Sequence, residues 1–125
     1  MNVRVAVVLL MLACAGCGTA RLYEGPKRDS DEVAHIDGDF VVTAGAPVSV
    51  ILRQVDGRDL SVGDNAAEVL PGKHRLLVDC RIAETRSVTR HEVEAEVSAG
   101  RHYRLAAETS PGLRGCTNVT VEETN

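Results

Sequence analysis

From residue 47 onward, apolar side chains fall on every second position. In "PVSVILRQVDGRDL", Val48, Val50 and Leu52 share one parity, while Ser49, Ile51 and Arg53 share the other. That is the period of a strand with one face buried. Asp56-Gly57 breaks the run and is a strong hairpin cue. "AEVLPGKHRLLVDC" reads as two short strands around Pro71-Gly72, because Pro fixes its own φ and Gly accepts a positive φ at the next position of a type II turn. The clearest strand is "RHEVEAEVSAG": Val93, Ala95 and Val97 point one way and Glu92, Glu94 and Glu96 the other. A helix would scatter these residues around its circumference. After Gly100, Tyr103, Leu105 and Ala107 form the next inward set, and in "CTNVTVEE" Val119 and Val121 oppose Thr120 and Glu122. About six or seven short strands separated by Gly turns predict an all-β fold, a single small antiparallel β-sandwich or barrel over residues 32–123. Neither an internal repeat nor a low-complexity tract interrupts the pattern.

The N-terminal pattern is different. Val5 to Ala13 is an uninterrupted apolar run behind Arg4, and the small residues Ala15 and Gly16 follow. A basic start, a short apolar core and a small-residue region are the layout of a secretory signal. A membrane-spanning helix needs about 20 apolar residues, so this run is too short for a stable span. No polar face marks it as a core helix. Residues 18–31, "GTARLYEGPKRDSD", are polar with Gly25-Pro26 in the middle, and read as a tether or an extended lead-in strand.

The segment "MLACAGC" resembles the lipobox of bacterial lipoproteins, in which a cysteine becomes the acylated N-terminus. Cys17 has Ala15 and Gly16 in the expected places, although Cys14 stands where Leu is usual. Cys14 has Ala13 before it, but Met11 and Leu12 fit the pattern less well. Cys17 is therefore the expected lipidation site and Cys14 the alternative, with residues 1–16 as signal peptide and 17–31 as lipidated N-terminus and tether. The resemblance implies three acyl chains, including a diacylglyceryl group, and two or more chains give stable anchoring where one does not. Gly18 rather than Asp after Cys17 implies, for a Gram-negative host, an outer-membrane lipoprotein facing the periplasm.

Residues 23–108 carry a second resemblance, in short pieces: Tyr23-x-Gly25-Pro26, "EVAHIDG", "VDG", "LPGKHRL" and "AGRHYRL". They are similar to small proteobacterial lipoproteins of unknown function and to PEGA-type β modules of envelope proteins. This implies a fold more than an activity, since such modules share no catalytic residues to carry over.

With Cys14 lost and Cys17 acylated, Cys80 and Cys116 remain, and an even pair in an oxidising compartment is expected to form a disulfide. Closing a loop of about 37 residues stabilises by roughly 4 kcal/mol in the chain-entropy model. One tension stands against it: Cys116 alternates with Asn118 and Thr120, off the Val119/Val121 face. Gly115 beside it leaves room for a bulge or loop that would restore the parity.

Composition narrows the function further. Loss of Arg4 leaves 13 Lys and Arg of the original 14 against 18 Asp and Glu, a net of −5. That acidic, interleaved charge argues against nucleic acid as a partner. Tyr23, Phe40 and Tyr103 are the whole aromatic complement, too few for base-stacking platforms or a large aromatic-walled pocket. His35, His74, His91 and His102 lie on different predicted strands, with no metal-ligand spacing. "DGD" at 37–39 and "GDN" at 63–65 do not continue into a calcium loop, and Glu122-Glu123 lies at the chain end rather than in a catalytic pair. Neither a Gly-x-Ser-x-Gly elbow nor a phosphate-binding loop occurs. The sequence predicts no catalytic residue, cofactor or metal.

The expectation is a lipid-anchored, periplasm-facing module with a structural or accessory binding role. It would meet the membrane through its acyl chains and an envelope protein through an exposed edge strand. Two rivals are a soluble periplasmic enzyme or inhibitor using loop histidines and Asp turns, and a lipoprotein subunit of a larger envelope or secretion complex. Histidines converging on a pocket would favour the first, and one contiguous exposed apolar face the second.

Overall fold

The structure, a computed structural model, describes residues 18–43, 46–61 and 63–124. Cys14, Cys17 and the signal region lie outside the described residues. The chain folds as an all-β sandwich of two five-stranded sheets. In chain order the strands are β1 (Thr19–Arg21), β2 (Ala34–Asp37), β3 (Asp39–Thr43), β4 (Ala46–Val55), β5 (Arg58–Asp59), β6 (Ala66–Val69), β7 (Gly72–Ile82), β8 (Ser87–Val97), β9 (His102–Thr109) and β10 (Cys116–Thr124). Sheet A has the order β1-β6-β2-β9-β10, and sheet B the order β3-β4-β7-β8 with β5 also on β4.

The predicted inward sets meet between the sheets. Val48, Val50 and Leu52 of β4 pack with Leu76, Val78, Cys80 and Ile82 of β7 against Ile36, Val69, Leu105 and Val119 of sheet A. Each is almost fully removed from water, worth on the order of 1.5–3 kcal/mol per aliphatic side chain. Asp56 and Gly57 both have positive φ, 51° and 79°, the geometry of a two-residue hairpin turn that matches strand twist. They join β4 to β5, with Val55 opposite Arg58.

Ten strands replace the expected six or seven, and the additions are short. β1, β2, β3 and β5 have two to five residues each, too few for alternation to register. β1 pairs parallel to β6 and β2 parallel to β9, so sheet A is mixed. The Pro71-Gly72 turn joins β6 of sheet A to β7 of sheet B, and residues 98–101 likewise carry β8 of sheet B into β9 of sheet A. Both pairs of flanking strands were visible in the sequence, but these turns cross between layers rather than closing hairpins.

Residues 19–23 take the lead-in strand form. Thr19, Ala20 and Arg21 lie beside Ala66, Ala67 and Glu68. Tyr23 is buried, its hydroxyl accepting the Arg28 amide at 2.9 Å, with the Arg21 guanidinium 5.7 Å from its ring centre. Tyr103 does the same on β9, accepting the Ser98 amide at 2.9 Å. In both cases a buried ring is anchored by its one polar atom.

Two ends of the sandwich can be distinguished. Thr19 lies beside Ala66, Ala66 beside Asp37, Asp37 beside Arg104 and Arg104 beside Glu122, so the chain enters partway along sheet A, in the row of Glu122. The turns at 83–86 and 110–115 form the near end, with Gly115 close to Ser87. Asp56-Gly57, Pro71 and residues 98–101 form the far end. Gly38, next to the entry row, is the switch point between sheets. Its amide donates to the Asn65 carbonyl at 2.8 Å, and a Cβ there would overlap the Asn65 side chain. That side chain is committed elsewhere: its Oδ1 accepts from Leu52 N at 2.8 Å and its Nδ2 donates to Val50 O at 3.2 Å. One amide side chain thus extends the β4 ladder where β3 ends, which requires glycine opposite it.

Candidate functional site

β8 and β10 are the terminal strands of their sheets and run along the same edge of the sandwich. The near end of this edge is closed. Cys80 on β7 and Cys116 on β10 are joined by a disulfide across the two sheets, with Cα atoms 6.3 Å apart and a sequence separation of 36. A bulge makes this bond geometrically accessible. On β9, Thr109 faces Cys116 while the adjacent Glu108 faces Asn118, so Thr117 is the extra residue. Its hydroxyl donates to the Glu108 carbonyl at 3.1 Å. The inserted residue places Cys116 and Val119 on the buried side although their parity differs.

The far end of the same edge is open. Val93, Ala95, Tyr103, Val119 and Val121, with Thr120 and the rim carboxylates Glu94 and Glu96, line a cleft of about 350 Å³. Val93 and Val121 stay partly exposed there, while Glu92, Glu94 and Glu96 are exposed on the opposite face of β8. Among the described residues, the outer edge of β8, eleven residues long, has no neighbouring strand. Its unpaired backbone groups, an apolar inner row and an acidic outer row define what could join it: an extended segment alternating apolar and basic residues.

The outer face of sheet B holds a charge cluster that alternation alone could not reveal. Asp79 on β7, 4% exposed, is the one buried charged residue among the described residues. Its Oδ2 accepts from Arg53 Nε at 2.9 Å and from an Arg90 terminal nitrogen at 3.3 Å, while its Oδ1 accepts from Arg90 Nε at 2.9 Å. The Arg90 hydrogen bonds hold its carboxyl below the usual range against the opposing effect of burial, and Arg53 adds to them. Register brings the pair together, with Asp79 beside Ile51 on one side and Arg90 on the other. The sequence signal was a single Asp within "LLVDC", flanked by strands carrying arginine.

The four histidines separate into three places. His35 and His102 lie opposite each other on β2 and β9, with rings stacked 4.4 Å apart. Glu68 on the next strand is 3.9 Å from His35 Nδ1. His91 contacts Thr89 at 3.3 Å. His74 lines a far-end cavity of about 570 Å³ with Asp56, Arg75 and Glu92. Its Nδ1 is 2.5 Å from Asp56 Oδ2 and its Nε2 is 2.6 Å from the Leu70 carbonyl. Both ring nitrogens are therefore engaged by acceptors, and the ring holds the Asp56 turn against the β6–β7 connection. Burial pushes the Asp56 carboxyl up, but the Arg75 amide and the His74 hydrogen bond and charge outweigh it, leaving the group below its ordinary range.

A turn at residues 29–32 gathers the exposed carboxylates of Asp29, Asp31 and Glu32 within 4.8 Å of one another. Arg28 lies 3.9 Å from Glu32, and all of these groups face solvent. No buried side-chain nitrogen or oxygen among the described residues lacks a hydrogen-bond partner, so the core holds no polar group left for a ligand to satisfy. No helix among the described residues is long and apolar enough to cross a membrane. No family model, curated protein or solved structure matches the chain.

Proposed function

We propose that the protein is a lipid-anchored envelope module that binds an extended segment of a partner protein along β8. Acylation falls on Cys17, and the domain faces the periplasm from the outer membrane. The observation that carries the binding half is the open far end of the β8–β10 edge, where a bare strand edge and the cleft of Val93, Ala95 and Val121 coincide. A strand added there would gain backbone hydrogen bonds from β8. It would also place alternate apolar side chains in the cleft and basic ones near Glu92, Glu94 and Glu96. Backbone pairing supplies affinity and the alternating pockets supply selectivity. The loop histidines have no part in this reading, since His74 is engaged at both ring nitrogens and His35 and His102 stack on each other away from the β8 cleft.

The test is titration of the full-length acylated protein in detergent with a fluorescent peptide of alternating Val and Lys, and with the same peptide carrying Glu for Lys. The reading predicts saturable binding of the basic peptide, weakened about tenfold or more by Val121→Arg, equivalent to about 1.4 kcal/mol. Equal binding of both peptides, or binding indifferent to Val121→Arg, would contradict it.

A further inference from the structure

The edge of β4 that faces away from β7 changes partner along its length. Residues 46–50 pair with β3, and Gln54 and Val55 pair with β5. Between them the edge is closed by loop residues rather than by a strand. Leu60 N donates to the Arg53 carbonyl at 3.0 Å, and the Asn65 side chain takes the Leu52 amide and the Val50 carbonyl. The backbone is thus hydrogen-bonded where a strand is missing, and beside it lies a cavity of about 370 Å³. Ile51 and Leu60, both partly buried, form its apolar wall, and Arg53, Arg81, Ser61 and Asp64 its polar one.

The two guanidiniums reach this cavity by different routes. Arg53 is the extra residue of a bulge, since Leu52 faces Val78 while Gln54 faces the adjacent Leu77. Its Nε is fixed at 2.9 Å by the buried Asp79, which leaves both terminal nitrogens as donors. Among the described residues no hydrogen bond takes up either of them. Arg81 lies two residues beyond Asp79 on the same face of β7 and is exposed. Among the described residues no carboxylate lies within 4.0 Å of its guanidinium. One guanidinium is therefore held in place from below by a buried carboxylate, and a held fork loses less freedom when it binds.

The lining sets the charge and size of what fits. Arg53 and Arg81 stand against one carboxylate, Asp64, whose Oδ1 lies in the space that a Cβ on Gly18 would fill. One positive charge is left over in a chain of net charge −4. A single carboxylate matches that charge and the planar fork of an arginine. A phosphate dianion would exceed it and meet Asp64. The volume is near the small end of ligand pockets, which begin at about 300 Å³, so the apolar wall of Ile51 and Leu60 suits a body of a few carbons.

We propose that this cavity binds a carboxylate carried on a short apolar body. Arg53 and Arg81 take the carboxylate oxygens, and Ile51 and Leu60 pack against the body. Asp79 does not touch the ligand; it is a positioning residue for Arg53, with Arg90 sharing its charge. A free short-chain acid and the C-terminus of a polypeptide present this same chemistry. The site lies on the opposite side of sheet B from the β8 edge and needs no acylation at Cys17, so it stands or falls apart from the proposed function.

The test is titration of the full-length protein in dodecyl maltoside micelles with isocaproate and with the peptide acetyl-Gly-Gly-Leu, read from backbone amide shifts. The carboxamides of both probes are the controls, because they keep the apolar body and lose the charge. The proposal predicts saturable shifts centred on residues 51–53, 60–61, 63–65 and 81 for the carboxylates. Binding should be weaker by about tenfold or more for the carboxamides and for Arg81→Gln, and unchanged in Arg114→Gln, which removes an exposed arginine outside the cavity. Because Arg81 is exposed, Arg81→Gln should keep the parent's amide spectrum without ligand. The tighter of the two carboxylates names the source, free acid or polypeptide terminus. Equal binding of acids and amides overturns the carboxylate assignment. Binding indifferent to Arg81→Gln, or weakened as much by Arg114→Gln, overturns the site, as does the absence of saturable shifts at millimolar probe.

Discussion

The near and far ends of the β8–β10 edge are built from the same two strands, yet one is sealed and the other is open. At the near end the Thr117 bulge turns Cys116 inward and the disulfide to Cys80 ties sheet A to sheet B. At the far end no covalent link among the described residues joins the sheets, and Val93 and Val121 remain partly exposed over a cleft. The difference teaches that a covalent cross-link can do locally what a larger apolar core would otherwise do. A domain of this size buries only about two-thirds of its unfolded surface, and fixing one end of the edge lets the other leave Val93 and Val121 partly exposed.

The comparison is broken most severely by the double substitution Cys80→Ser with Cys116→Ser, which keeps the bulge but removes the bond. The chain-entropy model gives a loss of about 4 kcal/mol, read from urea melts. Hydrogen exchange at Val119 and Val121 should quicken more than that of β2.

A smaller effect is expected from Asp79→Asn, which leaves Arg53 and Arg90 without their carboxylate. Both arginines are half exposed and regain water, so the loss is about 1–2 kcal/mol. The variant also tests pH dependence. Because the folded Asp79 carboxyl titrates below its ordinary value, its contribution is complete above the unfolded value near 4 and disappears as pH falls through the depressed folded value. The parent should therefore lose stability more steeply than Asp79→Asn as the pH falls below about 4. The smallest stability effect belongs to the open end. Val121→Arg, at a partly exposed position, should change stability by less than about 0.5 kcal/mol while suppressing binding of the alternating basic peptide. A large stability loss there would mean that the far end is as tightly packed as the near end.

Much of this architecture is legible along the chain wherever one face is wet and the other dry. "HEVEAEV" announces β8, and Tyr103, Leu105 and Ala107 announce β9, because half-buried strands alternate. The Asp56-Gly57 turn was equally plain, since both residues tolerate the positive φ that the hairpin demands. What alternation could not carry was partnership. Parallel pairing of β1 with β6, and of β2 with β9, depends on segments far apart in sequence. The burial of Tyr23 within a polar stretch follows from that pairing. Cys116 was legible as a conflict of parity, and the structure resolves it at Thr117 rather than at Gly115. The Arg53–Asp79–Arg90 cluster required the register of three strands. The β8 edge could be anticipated as a type of site, but which edge is left open is a consequence of strand order.

The central claim of the proposed function is a membrane anchor at Cys17 that carries a β8 edge able to take a partner strand. The most direct measurement is intact mass of the membrane-extracted protein, with tandem mass spectrometry of its N-terminal peptide. The account predicts a chain beginning at Cys17 that carries a diacylglyceryl group and an amide-linked acyl chain. A chain beginning at residue 18 or later, with no lipid, would contradict it.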